Sequence, residues 1–214
     1  MKLNLLYILT SLIILITLYF VWRFYYRDEC RILRSIPTEN GTIEIVNEEC
    51  QEALPHTTTS NTIRMTESVW NSGRYDEIMK HERVHLDQKR QPREWEEFYR
   101  TVWDYELLSS PPPDLSDTNL RPNPDTAEKP WAVWRSRYLF YPTYGPQNTL
   151  RGAKVRVWDL HKKDYVSLPP EWRAEFCHKD RCPIQYEHPH EIAAEYVTHG
   201  FQSPSAVKLF QWLK

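Results

Sequence analysis

The sequence predicts an α+β fold: a small mixed sheet packed on two helices, preceded by one transmembrane helix. Three observations support this prediction. An apolar stretch without charge occupies residues 3–22, runs of alternating polar and apolar residues follow it, and later segments have apolar residues at helical spacing. The net charge of -2 gives no basic surface for a polyanion, so no nucleic-acid partner is expected.

Residues 3–22 contain no charged side chain, and a helix of that length spans about 30 Å, the thickness of the hydrocarbon core of a bilayer. The stretch ends in large aromatic residues, Phe20 and Trp22, where a cleaved signal peptide would have small ones. Arg23 and Arg27 then follow, and by the positive-inside rule they predict a cytosolic large domain. The sequence therefore predicts a single-pass membrane protein that contacts the bilayer through residues 3–22.

All four cysteines follow the apolar stretch, and two disulfides in an oxidising compartment would give the same even number. The cytosolic location indicated by the arginines is preferred to this oxidising compartment. Cys177 and Cys182 are interpreted as a small disulfide loop or as two buried thiols, and less readily as part of a structural zinc site. Cys30 and Cys50 are compatible with a second bridge, but their spacing does not establish one.

The chain divides into three predicted regions: an anchor at residues 1–27, a juxtamembrane segment at residues 28–60 and one domain at residues 61–214. Within that domain, residues 109–130 are rich in proline and have no periodicity, which predicts a long surface excursion. Its function cannot be inferred from the sequence.

Period-two alternation predicts a strand at residues 41–46 and a second one at residues 62–70, separated by a turn rich in threonine and serine. Residues 152–168 predict two further strands around a polar turn.

Three helices are predicted. Apolar residues at intervals of three and four predict one over residues 74–90, which Pro92 stops, and a second amphipathic one over residues 92–108. A last helix is predicted to begin near Pro189 and to end at Gly200, which is typical of a C-terminal cap.

The motif HERVH, His81 to His85, lies inside the first predicted helix. Two histidines four residues apart lie one above the other on a helix, so both imidazoles can reach one metal ion. Glu82 projects about 100° around the helix from His81, where it can act as a general base on a water activated by the metal. The alternative is a solvated helix face with incidental histidines. The metal site is favoured because a third ligand is available.

Catalytic zinc takes three protein ligands and leaves a fourth position for water. A glycine at 88 and a histidine at 91 would extend the motif, but the chain has Gln88 and Gln91. The last predicted helix instead offers Glu191 and Glu195, one turn apart on one face.

Three histidines near this helix compete for the third position: His188, His190 and His199. Each alone is favoured as a surface or capping residue. His199 lies two turns beyond Glu191 on roughly the same face, where it could donate a hydrogen bond to a developing oxyanion.

These residues resemble the glutamate-zincins, in which HExxH is followed much later by a helix with the pattern E-x-x-A-(N/D). HERVHLDQ is also similar to the HExxHxxQ form of small bacterial and viral peptidase domains, and HPHEIAAEY is similar to their closing segment. The resemblance implies a zincin-like fold with Zn²⁺ held by His81, His85 and Glu191. It also implies that Glu195, longer than the usual Asp or Asn, orients a ligating imidazole.

The sequence thus predicts a membrane-anchored, zinc-dependent metallopeptidase that acts on a peptide or protein substrate, with Glu82 as general base. Two alternatives stay open. The zincin scaffold could serve as a tethered structural or interaction module without activity, or the chain could be a disulfide-stapled ectodomain in which HERVH has no role. The sequence predicts neither the identity of the substrate nor an oligomeric state.

Overall fold

A computed structural model of the chain describes residues 30–115 and 119–214. Within these ranges the architecture is α+β, with two sheets and six α-helices. In chain order the helices are α1 (Glu67–Trp70), α2 (Tyr75–Arg90), α3 (Pro92–Val102), α4 (Pro170–Phe176), α5 (Pro189–His199) and α6 (Pro204–Trp212).

The first sheet is mixed and lies early in the chain. Its strands are β1 (Ile32–Thr38), β2 (Gly41–Val46), β3 (His56–Thr59) and β4 (Thr62–Thr66). They lie in the order β1-β2-β4-β3, with β2 and β4 parallel and the other pairs antiparallel. One face of this sheet packs its isoleucines and Met65 against Met79 and Leu86 of α2. The sheet therefore supports one side of α2.

The second sheet is an antiparallel meander in the order β5-β6-β7-β8-β9. Its strands are β5 (Tyr105–Leu108), β6 (Trp131–Trp134), β7 (Tyr138–Thr143), β8 (Lys154–Asp159) and β9 (Asp164–Val166). One face packs against α3 to α6 through a core rich in aromatic residues. The opposite face carries a smaller cluster around Trp131 and Tyr141.

Helix α2 has the end residues that a stable helix requires. Asp76 and Glu77 lie in its first turn and Lys89 and Arg90 in its last turn, so both charge pairs complement the helix dipole. Pro92 begins α3 and prevents α2 from continuing.

Helix α5 is limited by equally specific residues. Its N-cap, His188, accepts a hydrogen bond from the backbone N–H of His190, and Pro189 occupies the first helical position. Gly200 ends the helix with a φ of +64°, a left-handed conformation that glycine adopts without strain. These two ends fix the rotation of α5, so that Glu191 faces α2 while Ile192 enters the aromatic core.

Two disulfides lie in the described ranges, Cys30–Cys50 and Cys177–Cys182. The structure therefore confirms the interpretation of Cys177 and Cys182 as a disulfide loop. It also contains the second bridge, Cys30–Cys50, which the sequence left open.

The structure corrects the predicted fold class in two respects. The single small mixed sheet is replaced by two sheets, because the region after α3 forms a separate five-stranded meander. The predicted transmembrane helix is the second correction: within residues 30–115 and 119–214, no helix has the length and apolar composition needed to cross a bilayer. Residues 3–22, on which that prediction fell, lie outside the described ranges. The predicted single-pass membrane location with a cytosolic domain is corrected by the same finding.

Three local predictions are also wrong in part. The strand predicted at residues 62–70 ends at Thr66, because the side chain of Thr66 caps the short helix α1. The threonine-rich segment predicted as a turn contains β3, which pairs with β4, and the turn is limited to residues 60–61. The second predicted helix ends at Val102, because Asp104 has a positive φ of 59° and the chain continues as β5. Residues 28–60, predicted as a juxtamembrane segment, supply three of the four strands of the first sheet.

Candidate metal centre

The candidate site lies where α2 and α5 face each other, at the bottom of a cleft of about 500 Å³. His81, Glu82 and Glu191 line the cleft together with the short turn at Cys50–Ala53 and residues 121–125. The site is therefore open to a ligand from one side and closed by two packed helices on the other.

His81, His85 and Glu191 converge in this structure. Nε2 of His81 lies 3.1 Å from Oε2 of Glu191, and Nε2 of His85 lies 3.5 Å from the same oxygen. The three side chains offer one ligand atom each, all within 4.8 Å of one another. Residues separated by more than a hundred positions in the chain thus form one cluster with the donor set that catalytic zinc uses, two imidazoles and a carboxylate.

Gln88 fixes the ring of His85. Its Oε1 lies 2.7 Å from Nδ1 of His85, and its amide nitrogen donates to the hydroxyl of Tyr99 and to the carbonyl of His190. Because the amide nitrogen is used elsewhere, Oε1 is the acceptor, and Nδ1 of His85 carries the proton. Nε2 then faces Glu191 and can bind a metal ion once it has lost its proton, an arrangement typical of ligating histidines.

Glu191 is held from the opposite side by residues 119–126, which we call the strap. The amide nitrogen of Asn123 donates to Oε1 of Glu191 at 2.8 Å. Asp125, two residues on, accepts hydrogen bonds from the backbone and hydroxyl of Thr57 in β3, and it pairs with Lys89 of α2. The proline-rich excursion of the sequence therefore contributes directly to the site.

Glu82 is buried, with 2% of its surface exposed, and none of the described residues donates a hydrogen bond to its Oε2. Burial, reinforced by the charge of Asp125, raises the pKa of Glu82 well above its usual value. A carboxyl group with a raised pKa holds a proton more strongly, which suits a group that takes a proton from water and returns it to a leaving group. An unpartnered buried oxygen beside the cluster is also the atom that a water or substrate would satisfy.

Charge balance at the cluster depends on the pairing of Glu191 with the imidazoles. Burial by itself would raise the pKa of Glu191, but the charges of His85 and His81 hold it well below its usual range. Burial by itself would lower the pKa of His85, but the carboxyl groups of Glu191, Asp125 and Glu82 raise it to about 10. In the metal-free protein the imidazole of His85 thus supplies the positive partner of the Glu191 carboxylate, and a metal ion would take the place of its proton.

Glu195 was predicted to orient a ligating imidazole and His199 to donate to a developing oxyanion, and both residues line the same cleft. Nε2 of His199 lies 3.6 Å from Oε2 of Glu195 and 4.0 Å from Oε1 of Glu77. Glu195 therefore pairs with His199 in this structure, and the imidazoles of His81 and His85 have Glu191 and Gln88 as their hydrogen-bond partners.

The other candidate ligands are separate from this cluster. His188 caps α5 and its Nε2 lies 3.1 Å from the carbonyl of Lys129, so it has the capping role that the sequence favoured. His56 lies near Cys30 and Cys50, but the two sulfur atoms are joined in a disulfide and offer no thiolate to a metal.

Sequence reasoning assigned no role to Asn123, Asp125 or Gln88. The order Asn-Pro-Asp at 123–125 contains a signal for a short helical turn, with an N-cap residue followed by proline. Gln88 stands three residues after His85, within reach on a helix. Both signals predict local geometry, but neither predicts which distant residue the side chain contacts.

No protein-family model, no curated protein and no solved structure matches this chain. The resemblance to the glutamate-zincins accordingly stays a prediction based on the motifs.

Proposed function

We propose that the protein is a zinc-dependent metallopeptidase in which His81, His85 and Glu191 bind Zn²⁺. One observation carries the proposal: the two imidazoles and the carboxylate converge within 4.8 Å of one another, beside a buried Glu82 whose Oε2 has no partner among the described residues. The donor set is that of catalytic zinc sites, and Gln88 orients one imidazole for metal binding.

A zinc ion bound there would polarise a scissile carbonyl group and acidify a water molecule. Glu82 would accept at Oε2 a proton from the water molecule that adds to the carbonyl carbon, and would return this proton to the leaving nitrogen when the C–N bond breaks. His199, in the same cleft, can donate a hydrogen bond to the carbonyl oxygen as negative charge develops on it.

A second candidate function is a structural module without activity. It is favoured by the direct contacts of Glu191 with both histidines, since these hydrogen bonds join α2 to α5 without any chemistry. Under this proposal the cluster stabilises the contact between the two helices, and Glu82 has no role in catalysis.

Metal analysis and one substitution separate the two candidates. We expect near-stoichiometric zinc in the full chain and its loss in His81→Ala and in Glu191→Ala. In Glu82→Gln, zinc should remain while cleavage of a peptide library falls by about 10²- to 10⁴-fold, the usual contribution of a general base. If the zinc-loaded parent cleaves no peptide of a broad library, the peptidase proposal fails and the structural one stands.

Arg83→Gln is the matched control for Glu82→Gln. Arg83 follows Glu82 in the same helix but is exposed, so its loss should leave both zinc content and cleavage unchanged. An equal loss of cleavage in Arg83→Gln would assign the effect to α2 in general and would remove the specific role of Glu82.

A further inference from the structure

The two oxygens of the Glu191 carboxylate have different surroundings. Oε2 lies between the imidazoles of His81 and His85, at 3.1 and 3.5 Å. Oε1 points the other way and accepts the hydrogen bond of Asn123 at 2.8 Å. One oxygen is thus directed at the metal ligands, and the other is already satisfied by the strap.

The orientation of the Asn123 amide is determined by its second hydrogen bond. Oδ1 of Asn123 accepts the backbone N–H of Asp125 at 2.9 Å. Because a backbone N–H only donates, the oxygen must face Asp125 and the nitrogen must face Glu191. Asn123 is therefore a donor to Glu191.

The strap is anchored on both sides of this amide. At one end the backbone N–H of Arg121 donates to the carbonyl of Pro142 in β7. At the other end Asp125 is anchored to Thr57 of the first sheet and to Lys89 of α2. Asn123 lies between these anchors, so both sheets and the HExxH helix determine its position.

We propose that Asn123 is a positioning residue that makes Glu191 a monodentate ligand. Its amide occupies Oε1, so that Glu191 presents Oε2 alone to the metal ion and keeps a coordination position open for water or substrate. The amide is neutral, so it orients the carboxylate and leaves the negative charge that binds the cation. A lysine or arginine in its place would cancel that charge. This inference rests on the metal centre of the proposed function.

The test compares two variants that keep the capping oxygen and lose the donor. Ser and Thr at position 123 can still accept the N–H of Asp125, but their hydroxyl is one bond shorter than the amide and does not reach Glu191. We expect Asn123→Ser and Asn123→Thr to bind zinc about 10- to 100-fold more weakly in a chelator competition, as for other residues that orient a ligand. The visible absorption of Co²⁺-substituted protein should also fall, because a bidentate carboxylate raises the coordination number.

Asn119→Ser is the matched control. Asn119 lies on the same strap and donates its amide to the carbonyl of Tyr144 at 3.2 Å, away from Glu191. We expect this variant to keep the zinc affinity and the Co²⁺ spectrum of the parent. An equal loss in Asn119→Ser would show that docking of the strap, and not the Asn123 amide, controls the metal, and would overturn the proposal.

Parent-like zinc affinity and spectrum in Asn123→Ser and Asn123→Thr would also overturn it, as would failure of both variants to fold, judged by circular dichroism. Peptide cleavage is not needed for this test. A parent that binds zinc but cleaves no peptide would remove the proposed hydrolase and leave the role of Asn123 measurable, whereas a parent that binds no zinc would remove both.

Discussion

The polar centre and the aromatic core lie on opposite faces of α5 and are assembled by different forces. In the polar centre, which comprises His81, Glu82, His85, Gln88 and Glu191, hydrogen bonds and charges set the positions of the side chains. In the aromatic core, which comprises Trp103, Trp134, Trp172, Phe176 and Tyr196, large rings pack with almost no exposed surface.

The difference teaches that the fold and the candidate metal centre depend on separate sets of contacts on the two faces of α5. Burial of aromatic surface gives the larger part of the folding free energy. Buried charges give little or none of it and are retained for other reasons. Changes in the aromatic core should therefore reduce stability, and changes in the polar centre should reduce metal binding.

The largest effect is expected for Trp172→Ala in the aromatic core. Trp172 is fully buried, stacks on Phe176 with 4.8 Å between ring centroids, and donates to the hydroxyl of Tyr105. The free energy of unfolding in urea should fall by about 3–5 kcal/mol, while the folded fraction keeps the zinc affinity of the parent. The free energy of unfolding should fall less in Trp172→Phe. A weaker zinc affinity in folded Trp172→Ala would contradict the independence of the aromatic core and the polar centre.

His188, at the N-terminus of α5, should make stability sensitive to acid. Burial lowers the pKa of His188 from 6.5 to about 4, so the unfolded chain binds a proton at a higher pH than the folded one. The contribution of neutral His188 to the free energy of unfolding is complete above pH 6.5 and is lost as the pH falls to about 4. The loss amounts to about 3 kcal/mol.

The measurement for His188 is the free energy of unfolding at both ends of that pH range, in the parent and in His188→Asn. Asparagine still caps a helix but does not titrate, so the acid-induced loss should be smaller in the variant. The same loss in both proteins would assign the acid sensitivity to other groups.

Gln88→Leu should act on the polar centre with less effect on the fold. Without the amide oxygen, the ring of His85 is no longer oriented, and zinc affinity should fall about 10- to 100-fold, measured by chelator competition. Gln91→Leu is the matched control, since Gln91 is exposed at the end of the same helix. Unchanged zinc affinity in Gln88→Leu would mean that packing alone positions His85.

Tyr99→Phe should have the smallest effect because Tyr99 belongs to both regions. Its ring packs in the aromatic core, while its hydroxyl accepts the Gln88 amide at 3.0 Å. Removing the hydroxyl alone should reduce the free energy of unfolding by about 1 kcal/mol and should weaken zinc binding less than Gln88→Leu does. A larger loss of zinc affinity than in Gln88→Leu would show that the tyrosine, and not the glutamine, controls the site.

Local patterns in the sequence were sufficient where one element determines its own structure. The apolar spacing of residues 75–90 predicted α2, and the proline and glycine at its two ends predicted α5. The alternation at Gly41–Val46 predicted β2. In each case the information lies within one or two turns or a few strand residues.

Patterns failed where a distant partner decides the structure. His56–Thr59 is a strand because it pairs with β4 and because Asp125, 68 residues away from Thr57, binds its edge. The strands β6 and β7 are buried throughout, so they have no alternation to recognise. The hydrogen bond between Asn123 and Glu191 likewise depends on the folded chain.

The two disulfides have a practical consequence for work with this protein. Cys50 is the first residue of the turn at Cys50–Ala53, which forms one wall of the cleft, and Cys182 lies three residues before Gln185 of another wall. Reducing agents should therefore loosen the walls of the cleft, and thiol reagents that also bind zinc would in addition compete with the proposed metal centre. Purification without reductant, from a host compartment that oxidises cysteine, is the preparation in which a hydrolytic assay would be meaningful.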